Sequence, residues 1–299
     1  MKSLFTGTGV ALVTPFNIDN SINFKALESI VDHCISGGVE YLVALGTTSE
    51  AVTLSSSEKK EVVNTIISAT AGRVPVVLGL GGNHTAEALK QLSEVLQDGI
   101  DGILSVVPYY NKPTQDGMFA HFDAIAQNSP VPVILYNVPG RTAANMKAAT
   151  TLELAHKHSN IAGIKEASGD MIQIMEIIRD KPKGFRVISG DDALTLPMLA
   201  VGAEGVISVV ANAWSSPFSK MVRLQLNNKN EEAKKLHYSL LQTIDLLFAE
   251  GNPAGIKSLL NCMGLCNKTV RLPLVSVSDA LHAKIYAEWS FVNSKLTNL

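Results

Sequence analysis

The strongest constraint on this chain is a rhythm: short apolar runs recur about every 30 residues, and amphipathic stretches of helical period fill the gaps. The runs are Gly9–Val13, Tyr41–Leu45, Val74–Leu78, Gly102–Val106, Val131–Tyr136, Ile161–Lys165, Phe185–Ser189 and Gly205–Val209. Each is too short for a helix and reads as a strand buried on both faces. Such strands belong to parallel sheets covered by helices. Between them, Phe24–Val31 carries apolar residues at 24, 27, 30 and 31, on one helical face. Ser57-Glu58, Thr85 and Asp170 supply helix-start signals. Eight unbroken alternations of strand and helix predict an α/β chain folded as a (β/α)8 TIM barrel. A doubly wound open sheet is the alternative. Its glycine-rich candidates, Gly7-Thr8-Gly9 and Gly79–Gly82, fit neither a dinucleotide fingerprint nor a phosphate loop.

Helical patterning continues past the eighth run, from Glu231–His237 through Asn252-Pro253 to Val277–Asp279. Residues 1–225 are therefore expected to form the barrel, and 226–299 an α-helical extension packed on it or on a partner subunit. The formal charge of −2 offers no basic field for nucleic acid or acidic membranes. No run of about 18 apolar residues predicts a membrane span. Met1–Gly7 lacks the apolar core of a secretion signal, so a soluble cytoplasmic protein is expected. Cys34, Cys262 and Cys266 are too few for a disulfide framework and read as core thiols. The seven histidines are scattered, with no metal-ligand spacing, so no metal is expected.

In a barrel of this kind, chemistry gathers where strands end. There the sequence places Gly46-Thr47-Thr48-Ser49-Glu50, Pro108-Tyr109-Tyr110-Asn111-Lys112-Pro113, Tyr136–Thr142, Lys165 and Ser189-Gly190-Asp191-Asp192. Singly, each has an ordinary explanation: paired threonines cap helices, tyrosines fill cores and Arg141 reaches water. Together they converge on one mouth. A lysine on a buried strand is costly, and desolvation favours the neutral, nucleophilic amine that Schiff-base chemistry needs. Tyr136 and nearby hydroxyls can relay protons. Thr47, Thr48 and their backbone N–H groups can hold a small carboxylate, and Arg141 can grip a second one in a bidentate fork. A 2-oxo acid and a carboxylate-bearing partner are implied. The protonated imine is itself the electron sink, so no cofactor is required.

At these motifs the whole chain resembles the dihydrodipicolinate synthase branch of the pyruvate-dependent class I aldolases, a family that includes N-acetylneuraminate lyase. Gly46-Thr47-Thr48, Pro108–Pro113, Tyr136–Thr142, Gly163-Ile164-Lys165-Glu166 and Gly190-Asp191-Asp192 match its motifs in order. Arg141 and the paired tyrosines favour the synthase branch. The resemblance implies a lyase of diaminopimelate and lysine biosynthesis. It condenses pyruvate, held as an imine on Lys165, with aspartate semialdehyde. It implies a proton relay of Thr47, Tyr136 and Tyr110, the last donated across a dimer interface, in a homotetramer of tight dimers. Thr48 would hold the pyruvate carboxylate and Arg141 that of the aldehyde, while backbone near Gly190 and Ile207 would line the pocket. Regulated relatives bind lysine at positions matching Ala51, Ser56, Lys59, Asn83, Glu87 and Tyr109. Ala51 lacks the usual hydroxyl there and Lys59 replaces the usual histidine, which points to weak inhibition. Two departures stand out: Ser49 where the family commonly has glycine, and Gly255 where it commonly has proline.

Two other readings compete. One keeps Lys165 and pyruvate but takes a sugar-acid aldehyde, as a sialate lyase does; a fixed guanidinium at 141 argues against it. The other is a non-catalytic metabolite-binding scaffold, which would not need Lys165, Tyr136 and Tyr110 together.

Overall fold

The computed structural model describes residues 5–296. Eight parallel strands close in chain order: β1 (Gly7–Ala11), β2 (Tyr41–Ala44), β3 (Val76–Gly79), β4 (Gly102–Val106), β5 (Val133–Asn137), β6 (Ile161–Glu166), β7 (Arg186–Ser189) and β8 (Gly205–Ser208). β8 pairs back onto β1, with Gly7 opposite Gly205 and Val10 opposite Ser208. Closure leaves no sheet edge and excludes the open doubly wound sheet. β4 spans the run read from the sequence. β3 and β5 start later than their runs, just beyond Pro75 and Pro132, which have no N–H for a ladder. β1 starts earlier, because the polar Thr8 pairs with Val206 and so hid the strand from a hydropathy reading.

Strand alternation sorts the core into two layers. Ala11, Tyr41, Val43, Val77, Leu104, Ile134, Tyr136, Ile188 and Ile207 cluster inside the barrel. Val10, Leu42, Leu78, Ile103, Leu135, Ile164, Val187 and Val206 join the core beneath the helices. Tyr41 fits inside because position 9 is glycine: a Cβ there would lie 2.2 Å from its ring.

The surrounding helices are α1 (Phe24–Ser36), α2 (Ser56–Thr70), α3 (Thr85–Val95), α4 (Gln115–Asn128), the single turn α5 (Pro139–Thr142), α6 (Ala148–Lys157), α7 (Met171–Asp180), α8 (Thr195–Ala200) and α9 (Ser215–Leu226). α1 buries Ala26, Leu27, Ile30, Val31 and Cys34, a stripe of helical spacing. The cap of α2 is Ser55, not the Ser57 region suggested by the sequence. Glu58 N donates to Ser55 Oγ at 3.2 Å and Ser55 N donates to Glu58 Oε2 at 2.8 Å, a reciprocal capping box. Asp170 caps α7 through Ile172 N and Gln173 N.

Three further helices follow: α10 (Asn230–Phe248), α11 (Ala254–Cys262) and α12 (Asp279–Leu296). α10 packs on α9 and α12, and α11 on α12. The glycine at 255 has a local cause, since a Cβ there would come within 2.0 Å of the Leu247 carbonyl oxygen. Cys34 and Cys266 are buried, Cys262 is half-buried, and all three are unpaired. Among the described residues, no helix is long and apolar enough to cross a membrane.

Candidate active site

A cavity of about 690 Å³ opens at the C-terminal ends of the strands, within the range of small-molecule sites. Lys165 and Tyr136 stand side by side on its wall because they are paired residues on adjacent inward positions of β6 and β5. Lys165 is 5% exposed, and its Nζ lies 4.1 Å from the centre of the Tyr136 ring. That contact holds the amine by cation–π attraction without committing it to a carboxylate. Strand alternation sends the next residues outward, where Glu166 is fully buried. Its carboxylate accepts from Asn137 Nδ2, Gln173 Nε2 and Ser168 N at 2.9–3.2 Å. Burial pushes its pKa up, against those hydrogen bonds. The strand ends are thus tied together behind the amine.

Gly190 lines the cavity beside Lys165, and its N–H donates to Glu166 O at 2.8 Å. Asp192 is buried behind it. Its Oδ2 accepts from Val209 N and Val210 N, joining the ends of β7 and β8. Desolvation raises its pKa to about 6.

Thr47, Thr48 and Ser49 form a tight 3-10 turn after β2. Thr47 is exposed, whereas Thr48 is buried, and both line the cavity. Ser49 Oγ donates to Gly46 O at 2.7 Å, closing the turn on itself. Arg141 sits on α5 at the mouth, exposed and without an ion pair among the described residues. A cation there remains available to an incoming carboxylate.

The remaining residues named from the sequence divide between this cavity and other places. Ile207 does not line the cavity. It belongs to the barrel interior, and Val209, two residues further along, takes the lining position. Tyr110 is 87% exposed and outside its own chain's cavity, on a loop where it adopts φ +71 and Lys112 φ +45. Of the six candidate regulatory positions, Ala51, Lys59 and Tyr109 line this same cavity, while Ser56, Asn83 and Glu87 are exposed outside it. Among the described residues there is no group of three or more His, Cys, Asp or Glu that could hold a metal.

Sequence reading missed a buried charge network beneath the threonine turn. Glu50 ends that turn at φ +56, and its carboxylate meets Lys257 Nζ at 2.5 Å and Arg271 N at 2.9 Å. Lys257 is fully buried, donates also to Thr269 O, and lies 4.1 Å over the Phe16 ring. Arg271 forks onto Glu58 at 2.5 and 2.9 Å. The signal was present as a lysine and a glutamate in apolar surroundings, but more than 200 residues separate them.

The Dihydrodipicolinate synthetase family model matches residues 4–289. A 4-hydroxy-tetrahydrodipicolinate synthase from Flavobacterium psychrophilum is 53% identical over 281 residues, covering 94% of this chain and 96% of that one. The crystal structure of dihydrodipicolinate synthase from Aquifex aeolicus superposes with a TM-score of 0.93 at 38% identity, over 97% of this chain and 98% of that one. The synthase from Cyanidioschyzon merolae, crystallised with lysine bound, gives a TM-score of 0.94 at 37% identity, over 98% of this chain and 99% of that one. With a closed barrel, a buried amine at its mouth and similarity along nearly its full length, the chain belongs to the dihydrodipicolinate synthetase family.

Proposed function

We propose that this chain is a lyase that condenses pyruvate with L-aspartate 4-semialdehyde to give 4-hydroxy-tetrahydrodipicolinate, the first committed step toward diaminopimelate and lysine. The observation that carries the reading is the Lys165 amine, buried at the cavity wall with Tyr136 as its neighbour and no carboxylate partner among the described residues. The Lys165 amine attacks C2 of pyruvate, water leaves, and the protonated imine withdraws electrons from C3. Loss of a C3 proton gives an enamine that adds to the aldehyde carbon, whose oxygen takes up a proton to become the 4-hydroxyl; the substrate's own amine then attacks C2, displaces the Lys165 amine and closes the ring. Thr47 and Tyr136 move the protons, and Thr48 holds the pyruvate carboxylate. Arg141 holds the carboxylate of the aldehyde substrate. The covalent pyruvate imine makes a separate cofactor unnecessary.

Tyr110, turned out of its own cavity, completes the relay in a neighbouring subunit of a homotetramer built from dimers. The barrel is assigned to residues 1–225 and the helical extension to 226–299, of which 1–4 and 297–299 lie outside the described residues; the end of α9 at Leu226 supports the boundary. The setting is the cytoplasm, and lysine is at most a weak inhibitor, because Lys59 puts a second cation where a cationic amino acid would sit. Steady-state rates with pyruvate and a panel of aldehydes test the substrate reading. Aspartate semialdehyde should be used best, and a faster reaction with a sugar-acid aldehyde would replace it with the lyase reading.

A further inference from the structure

The segment between α10 and α11 carries Asn252 onto the cavity wall, 204 residues from the threonine turn. It is 8% exposed, and its Nδ2 donates to Thr48 Oγ1 at 3.0 Å. A hydroxyl has one hydrogen and two lone pairs. Asn252 engages a lone pair, so the Thr48 hydrogen is left for another acceptor, and it has none among the described residues. Asn252 Oδ1 is buried and also has no partner among the described residues. The residue is also held in place. α11 follows directly, and its Lys257 clamps Glu50 at the end of the same threonine turn.

We propose that Asn252 is a positioning residue that sets the Thr48 hydroxyl as a donor aimed into the cavity, and thereby selects an acceptor-only group, a carboxylate, at that end of the 2-oxo acid. This rests on Thr48 holding the pyruvate carboxylate. The uncharged amide supplies orientation without adding a competing charge, and a donor aimed at a carboxylate forms the stronger, charge-assisted kind of hydrogen bond.

The test is a cycle of wild type, Thr48→Val, Asn252→Ala and the double variant, reading KM for pyruvate, kcat and thermal stability. Thr48→Val and Asn252→Ala should each raise the pyruvate KM by about tenfold or more, the scale of one hydrogen bond to a charged group. The double variant should be no worse than Thr48→Val alone, because Asn252 acts only through that hydroxyl. Asn252→Asp keeps the shape but accepts the Thr48 hydrogen and adds a negative charge. It should raise the pyruvate KM more than Asn252→Ala does, and it provides the reading if the alanine variant fails to fold. A normal pyruvate KM in Asn252→Asp, or losses that multiply in the double variant, would overturn the role of Asn252 while leaving Thr48 in place. An unchanged pyruvate KM in Thr48→Val would remove the carboxylate role of Thr48, and this proposal with it.

Discussion

Replacing Gly190 with alanine is the most direct geometric challenge to the site. A Cβ at this position would lie 2.7 Å from Ala167 Cβ, 3.1 Å from Lys165 Cε and 3.2 Å from Glu166 O. Carbon atoms rest at about 3.5–4.0 Å, so the neighbours must give by roughly 0.5–1 Å. Ala167 and the Glu166 carbonyl belong to the backbone around the end of β6 and move with difficulty. The Lys165 side chain is the softer neighbour and takes much of the displacement. A shift of about 1 Å at reacting atoms can cost on the order of 100-fold in rate. Overpacking should also cost about 1–3 kcal/mol in stability. The assay compares kcat/KM for pyruvate, the rate of borohydride-trapped pyruvate incorporation, and denaturant unfolding. The expected result is a fall of roughly 10- to 100-fold in the first two together. Gly82→Ala is the control, since its added methyl meets nothing within 4 Å. Trapping and kcat/KM within about twofold of wild type in a folded Gly190→Ala protein would refute the argument that this glycine exists to seat Lys165.

Other outcomes follow from the same geometry. Arg141→Ala should still trap pyruvate but lose about 2–4 kcal/mol of transition-state binding toward aspartate semialdehyde, read as kcat/KM; an equal loss of pyruvate trapping would contradict its role. Lys257→Met leaves the buried Glu50 charge without its ammonium and should destabilise by roughly 3–5 kcal/mol in denaturant unfolding; a loss under about 1 kcal/mol would show the pair to be incidental. Mixed dimers of Tyr110→Phe and Lys165→Ala chains should recover activity that neither has alone, and none in verified mixed dimers would place each relay within one chain. The hydrogen bond from Arg271 lowers the Glu58 pKa from 4.5 to about 2, so its contribution is complete above pH 4.5 and is lost as pH falls toward 2. For this partly solvated pair the amount is about 1 kcal/mol, and the stability gap between wild type and Glu58→Gln should shrink on acidification across that window; a constant gap would refute the linkage.

The barrel was legible because its evidence is local: short apolar runs, their spacing, and helical stripes between them. Lys165, Tyr136 and Arg141 were legible for the same reason, since barrel geometry turns a strand end into a place in space. Ile207 shows where that stops. It has the right inward parity but lies in the packed interior, while Val209, two residues further along, lines the cavity. Ser55 rather than Ser57 caps α2, because the cap must precede Glu58 by three residues for the reciprocal bonds to close. Asn252, Glu50 and Lys257 were not legible. Their roles depend on pairings across more than 200 residues, brought about when the C-terminal helices fold back over the barrel mouth.

The central claim is that the Lys165 amine forms the covalent pyruvate intermediate. Borohydride reduction in the presence of pyruvate, followed by peptide mass spectrometry, measures it most directly. The peptide carrying Lys165 should gain the mass of pyruvate plus two hydrogens less the water lost on imine formation, and the Lys165→Ala protein should gain none. A label on another lysine, or one that persists unchanged in Lys165→Ala, would contradict the account.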